Sequence, residues 1–301
     1  MIHKRRDKPI GLRMLELLSK RMSIDSKTMQ QYVSLKKGYE GELFFDTFIN
    51  ELKEECIILN DLLLEVNHTV FQIDSLLITQ EKIQLYEVKN FGGDFYYEED
   101  KLFTRNQREI VNPLHQVGRS NSLFSQLLIK LQIKMPIEAF VVFVNPDFTL
   151  YQAPIGKPII FPGQLKRHMS NLSNTHSRLT NYHKNIAEQL VERHIAEPLY
   201  PHVLHYDYQL LRKGITCQKC DSFSITVERK YCSCNLCNHK ELVSLAVLRS
   251  VEEFTTLFPK EKITTNIIHD WCKIVTCKKR ISRYLESNFQ KEGVRQWTFY
   301  K

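Results

Sequence analysis

The stretch QIDSLLITQEKIQLYEVKNFGG, residues 72–93, sets two carboxylates and a lysine, Asp74, Glu87 and Lys89, among alternating apolar residues. Alternation of this kind marks half-buried strands, so 72–89 reads as two antiparallel strands turning at Gln80–Glu81. That turn places Ile78 opposite Ile83, Leu76 opposite Leu85 and Asp74 opposite Glu87 on one face, with Lys89 two positions further along it. Opposed like charges at a Cβ separation of roughly 5 Å are destabilising, and apolar neighbours drive one such carboxyl to hold a proton. A divalent cation between the two removes the conflict. Oxygen donors with positions left for water suit Mg²⁺ or Mn²⁺. A neighbouring ammonium then orients a water or offsets charge on a phosphorane-like transition state. The competing reading is an ordinary strand pair with a solvated polar end. A three-residue loop would shift the register by one, and Gln-Glu is not a favoured two-residue turn.

A second set of chemistry-bearing residues lies near the C-terminus. Five of the eight cysteines fall between Cys217 and Cys237. Cys217-x2-Cys220, thirteen residues and Cys234-x2-Cys237 can present four thiolates tetrahedrally to Zn²⁺. Four cysteines leave no open position, so the expected ion is structural, and a core of ribbon size gains folding free energy from it directly. The set resembles a zinc ribbon, with SITVERKY as a strand between the knuckles. Cys232 is a spare that a rearranged site would use, while Cys272 and Cys277 read as ordinary thiols. Clustered thiols in a long chain that shows no export signal point to a reducing, cytoplasmic setting.

The elements that must position these residues follow from periodicity. GLRMLELLSKRMS has Leu12, Leu15, Leu17 and Leu18 at helical spacing. GYEGELFFDTFINEL predicts a helix from Gly38, with Leu43, Phe44, Phe48 and Leu52 apolar and Glu42 in its first turn. Two or three strands run through Lys89, and FGGDF then breaks the pattern. NPLHQVGRSNSLFSQLLIKL opens a helix at Pro113, a favoured first-turn position. IEAFVVFVNP is a buried strand. This order predicts an α/β fold, a mixed sheet flanked by helices. Residues 164–212 are weakly helical, with scattered histidines that have no partner at metal-ligand spacing. The final basic segment predicts a helix with Ile267, Ile268, Trp271 and Ile274, a turn, and a second helix with Ile281, Tyr284 and Leu285, closed by a strand in GVRQWTFYK. That pattern resembles a winged helix-turn-helix, with Lys278, Lys279, Arg280 and Arg283 on the exposed side of the second helix as candidate nucleic-acid contacts. A helical interaction module with a solvated basic face would show the same pattern. The resulting domain division is a basic helical N-terminal arm over 1–37, an α/β domain over 38–155, a helical connector over 156–213, the ribbon over 214–241 and the basic domain over 242–301.

Charge is segregated along the chain. Residues 1–37 carry ten Lys/Arg against three Asp/Glu, residues 260–301 ten against four, and residues 42–100 three against fourteen. Basic ends around an acidic middle suit a polyanion grip around a cation site. No apolar run approaches the ~20 residues of a membrane helix, so no membrane partner is expected.

The spacing D-x12-E-V-K, with Ile73-Asp74 where the motif has Pro-Asp, resembles the PD-(D/E)xK nuclease superfamily. The longer ordered set G-Y-E-G-E, N-D, Q-I-D-S-L-L-I, Y-E-V-K-N, G-G and N-P-L-x-Q, spanning roughly residues 38–150, resembles the NERD (nuclease-related) domain. The resemblance implies a restriction-endonuclease-like fold, a metal held by Asp74, Glu87 and the Val88 carbonyl, and Lys89 as the catalytic lysine. It also implies that Glu42 assists metal or water binding and that Gln116 lines the site. The expected activity is Mg²⁺- or Mn²⁺-dependent hydrolysis of phosphodiester bonds in nucleic acid, DNA in the first instance. The rivals are a non-catalytic DNA-binding or regulatory protein on a nuclease-like scaffold and a protein-interaction adaptor. Oligomeric state is left open by the sequence.

Overall fold

A computed structural model describes residues 2–52, 55–174, 177–195 and 205–301. In chain order the elements begin with β1 (Ile2–Lys4), α1 (Ile10–Arg21), α2 (Ser26–Asn50), β2 (Ile57–Val66), β3 (Thr69–Ile78) and β4 (Ile83–Lys89). Next come β5 (Gly93–Glu98), β6 (Lys101–Thr104), β7 (Glu109–Ile110), α3 (Pro113–Lys130), β8 (Ile137–Phe143), β9 (Phe148–Tyr151), β10 (Ile159–Ile160), α4 (Leu165–Ser173) and α5 (Asn181–Glu192). The rest of the chain forms β11 (Ile225–Glu228), β12 (Tyr231–Cys234), β13 (Lys240–Leu242), α6 (Val243–Leu257), α7 (Thr265–Cys272), α8 (Lys278–Asn288), β14 (Lys291–Glu292) and β15 (Phe299–Tyr300). The chain divides into two units, Met1–Lys8 with Val33–Leu199, and Pro9–Tyr32 with Tyr200–Lys301.

The first unit is a mixed sheet in the order β1-β2-β3-β4-β8-β10, the restriction-endonuclease-like arrangement expected. β2, β3 and β4 form an antiparallel meander, while β4 and β8 are parallel, joined through α3. Asn112 caps α3 by accepting the Leu114 N–H, and Pro113 opens it, as its sequence predicts. One side of the sheet packs Leu62, Leu64, Leu76 and Leu85 against Phe124 and Leu128 of α3 and Ile186 and Leu190 of α5. The other packs Leu77, Tyr86, Val88 and Val142 against Phe45 and Ile49 of α2 and Leu165 and Met169 of α4.

α2 departs from expectation. It runs unbroken through Gly38 and Gly41, so neither glycine opens it and Glu42 lies well inside the helix. Its buried residues are Gly41, Phe45, Asp46 and Ile49, whereas Leu43 and Phe44 are exposed. The i, i+4 stripe of 41, 45 and 49 faces the sheet because Gly41 permits a close approach: a Cβ there would lie 2.5 Å from Asn90 Cβ. The expected N-terminal arm over 1–37 is not a separate element. β1 is an edge strand parallel to β2, and α1 belongs to the second unit. Lys4, Arg6 and Arg21 are turned inward to carbonyls and carboxylates, which removes them from any exposed basic grip. Within the expected connector over 156–213, residues 175–176 and 196–204 lie outside the described residues. Of its described histidines, His168 meets the Tyr86 hydroxyl, His183 the Gln80 carbonyl, and His194 accepts the Leu63 N–H.

The second unit holds the three-stranded ribbon β11-β12-β13 and a helical body of α6, α7 and α8 closed by the β14–β15 hairpin. Its core gathers Val247, Phe254, Ile268, Trp271, Ile281, Leu285 and Tyr300. Helix α6 is an element that the sequence reading did not single out. Leu18 of α1 completes this core.

Candidate functional site

The β3–β4 hairpin has the register its turn predicts, with Ile78 opposite Ile83, Leu76 opposite Leu85 and Ser75 opposite Tyr86. The ladder stops there, one step before Asp74 and Glu87, so the direct Asp74–Glu87 strand pair expected from the sequence is not formed. Asp74 uses its carboxylate in place of the next ladder bond, and Oδ2 accepts the Val88 N–H at 2.8 Å. Opposite it in β2, Asp61 stands out of the ladder with φ +53°. At that kink the strands change which side chains face the core, from Leu59 before it to Leu62 and Leu64 after it. The β2–β3 register is the same on both sides of this position, so it is a local kink in both strands with no inserted residue, and it leaves Asp61 and Asp74 unpaired in the ladder.

Glu87 and Lys89 continue the alternation of Ile83 and Leu85 and so point towards the α3 side. Lys89 Nζ donates to Glu87 Oε1 at 2.7 Å and to Gln116 Oε1 on α3 at 3.0 Å. Both carboxylates are buried, Asp74 at 9% and Glu87 at 5% exposure. Among the described residues neither Asp74 Oδ1 nor Glu87 Oε2 receives a hydrogen bond.

Glu42 reaches the site from α2, where Arg6 Nη1 donates to its Oε2 at 2.7 Å. Arg6 also clasps Asp46 with Nε at 3.0 Å and Nη2 at 3.1 Å, and Nη2 reaches the Asp74 carbonyl and Ser75 Oγ. Arg6 is a site residue that sequence reasoning missed. The only signal was its place in a basic run, KRRDK, whose residues carry no periodicity to say which one turns inward.

Burial dominates the electrostatics. It pushes the Glu87 carboxyl up to about 7, aided by the charge on Asp74 and opposed by Lys89. It pushes Glu42 up to about 8, with Asp74 adding to the effect and Arg6 opposing it. Asp74 is also raised, by burial above all, despite its bond from Val88 and the charges of Lys89 and Arg6. Four carboxyl groups, Glu42, Asp46, Asp74 and Glu87, thus share two cations, Arg6 and Lys89. Without a further cation, burial and mutual repulsion keep protons on this group, and a divalent cation would allow it to ionise. Two carboxylate oxygens, one on Asp74 and one on Glu87, are free of hydrogen bonds among the described residues, and oxygen is the donor type that hard cations take.

Asn90 joins the parts of this site. Its side chain donates to the Lys37 carbonyl of α2 at 2.8 Å and accepts from Asn145 at 3.1 Å. Gly92 abuts Asn145 and Gly93 has φ +99°, so the Gly-Gly pair serves the chain's close turn.

Residues 37–144 match the family model described as the nuclease-related domain. No curated protein and no solved structure matches the chain. The nuclease-related segment contains every element of the carboxylate site except Arg6, which comes from the chain before it.

In the second unit, Cys217, Cys220, Cys234 and Cys237 bring their sulfurs within 4.8 Å of one another, a set that can hold a metal ion. The Cys237 backbone N–H is the main influence holding the Cys234 thiol down, to about 6, which favours the thiolate that metals bind. Cys232 lies in the apolar core, and burial pushes its thiol up to about 11, so it stands outside the cluster. On α8, Lys278, Lys279 and Arg283 are exposed, while Arg280 is half-buried and donates to the Tyr284 hydroxyl at 2.7 Å. Among the described residues no helix is long and apolar enough to cross a membrane.

Proposed function

We propose that the first unit is a divalent-metal-dependent nuclease and that the second unit binds the nucleic acid, DNA in the first instance. The observation that carries this reading is the meeting of Asp74, Glu87, Lys89 and Gln116 at the point where β3 leaves β4, with carboxyl groups that burial holds to their protons. Asp74, Glu87 and the Val88 carbonyl would hold Mg²⁺ or Mn²⁺, with Glu42 as an outer carboxylate. The bound ion supplies Lewis acidity towards a phosphoryl oxygen and neutralises charge as it develops there. The chain's own residues do the rest. The Val88 N–H fixes the Asp74 carboxylate. Glu87 and Gln116 hold the Lys89 ammonium where it can orient an attacking water and stabilise an anionic phosphoryl oxygen. Arg6 keeps Glu42 and Asp46 in place.

The four-cysteine cluster would hold Zn²⁺ as a structural ion, closed to water by its four thiolates. Lys278, Lys279 and Arg283 would contact phosphates, with Arg280 packed behind them on Tyr284. Reduced thiols are consistent with a cytoplasmic protein. Purified protein should cut supercoiled or linear DNA with Mg²⁺ or Mn²⁺, and Lys89→Ala and Asp74→Ala should each abolish cutting. Equal cutting by all three proteins would defeat this assignment. Binding by all three without cutting would favour a non-catalytic scaffold.

A further inference from the structure

The protein has two tryptophans, and their environments are opposite. Trp271 is fully buried in the core of the second unit. Trp297 is 75% exposed, in the short turn between β14 and β15, beside Val294 at 73%. A large aromatic ring so exposed offers a free, flat, polarizable face.

The turn is braced rather than loose. Gln290 and Lys301 exchange backbone hydrogen bonds at 2.8 and 3.0 Å, and the Tyr300 N–H donates to the Ile263 carbonyl at 2.9 Å. Tyr300 is buried, and its hydroxyl meets Thr265 Oγ1 of α7 at 3.4 Å and Ser282 Oγ of α8 at 3.3 Å. The turn itself is closed through Gly293, at φ +78°, where a Cβ would lie 2.4 Å from the Trp297 carbonyl oxygen. Trp297 is therefore carried by a hairpin fixed to both helices of the helix-turn-helix. Rigid placement of an aromatic anchor lowers the entropic cost of using it.

The segment that carries the ring has charge of one dominant sign. Residues 278–301 carry seven Lys/Arg against two Asp/Glu. Lys279 and Arg283 are exposed on α8, and Arg295, two residues before Trp297 in the same turn, is exposed as well. Glu286, one of the two acids, is engaged by Lys291 at 2.8 Å. Phe299, one residue beyond the turn, has Lys262 Nζ 4.4 Å from its ring centre and Lys301 Nζ at 5.7 Å.

We propose that the β14–β15 hairpin is a single-strand-binding element in which Trp297 stacks on an unpaired base while Arg295, Lys279 and Arg283 hold the flanking phosphates. Unpaired bases offer a π-face to an aromatic side chain, whereas bases inside a duplex are already stacked on one another. Phosphate contacts alone would grip either form. The ring thus adds preference for single-stranded or frayed nucleic acid over blunt duplex. This rests on the reading that the second unit binds nucleic acid, and it does not depend on whether the first unit cuts.

The test uses the full chain without added Mg²⁺ or Mn²⁺, so that binding is read apart from cleavage. Tryptophan fluorescence is followed during titration with a single-stranded oligo-dT, an oligo-U and a blunt duplex, for wild type, Trp297→Phe and Trp297→Ala. Wild-type emission should be quenched by a single strand, and the signal should vanish in both variants because Trp271 is buried. Anisotropy of labelled oligonucleotides should show single-strand affinity about tenfold or more weaker for Trp297→Ala, retained largely by Trp297→Phe, with duplex affinity unchanged. The oligo-dT and oligo-U arms tell DNA from RNA. Equal single-strand affinity for wild type and Trp297→Ala would overturn the proposal, as would equal losses on single strand and duplex. So would a wild-type emission that no oligonucleotide alters, since the indole would then serve another kind of partner.

Discussion

Raising the pH should weaken the first unit unless a divalent cation is present, and the effect can be worked from Glu87. Its carboxyl is pushed up to about 7 from an ordinary 4.5, by burial and by Asp74. The folded protein therefore holds this proton more tightly than the unfolded chain does. The associated stability is fully present below the unfolded value and is lost as the pH rises through the folded one. The window runs from about pH 4.5 to about 7, and at about 1.4 kcal/mol per pKa unit the loss is on the order of 3 kcal/mol. A cation that binds the ionised pair stabilises only the folded form, so its benefit should be small at about pH 5.5 and largest at about pH 8. Urea unfolding followed by far-ultraviolet circular dichroism, with and without Mn²⁺, measures both slopes. Glu87→Gln removes the titrating group, and its stability should fall less across the same window. Parallel pH curves for wild type and Glu87→Gln would refute the reasoning, as would equal stabilisation by Mn²⁺ at the two pH values.

Further outcomes follow from single contacts. Arg6→Ala should cost about 3–5 kcal/mol in thermal or urea unfolding, because it strands Glu42 and Asp46 at a buried site. Gly41→Ala should lower the melting temperature despite better helix propensity, since its Cβ would stand 2.5 Å from Asn90 Cβ, and overpacking of this kind costs about 1–3 kcal/mol. Zinc released on thiol modification should amount to one ion per chain in wild type and Cys232→Ser, and to none in Cys217→Ser, because only the latter sulfur lies in the four-cysteine set.

Much of the site was legible because its signals are local. Alternation along 72–89 placed the turn at Gln80–Glu81 and the register through Ser75–Tyr86. The Asn-Pro pair placed the start of α3, and with it Gln116. Paired Cys-x2-Cys knuckles identified the four-cysteine cluster and left Cys232 as the spare. These features follow from a period of two, a helix cap and a ligand spacing, each confined to a short stretch of chain.

Other features depend on parts of the chain far apart in sequence. Asp74 leaves the ladder opposite Asp61, thirteen positions earlier, whose backbone is left-handed, and no local pattern marks that kink. The stripe of α2 that faces inward goes with the close approach of Gly41 to Asn90, and it leaves Leu43 and Phe44, apolar at helical spacing, exposed. Arg6 lies 36 residues from Glu42 and 68 from Asp74, and only the parallel placement of β1 beside β2 brings its guanidinium to them. A basic residue in a basic run looks solvated in sequence, because nothing local requires its burial. Tertiary structure decides it by bringing to the guanidinium carboxyl groups that, once buried, ionise more readily beside a cation.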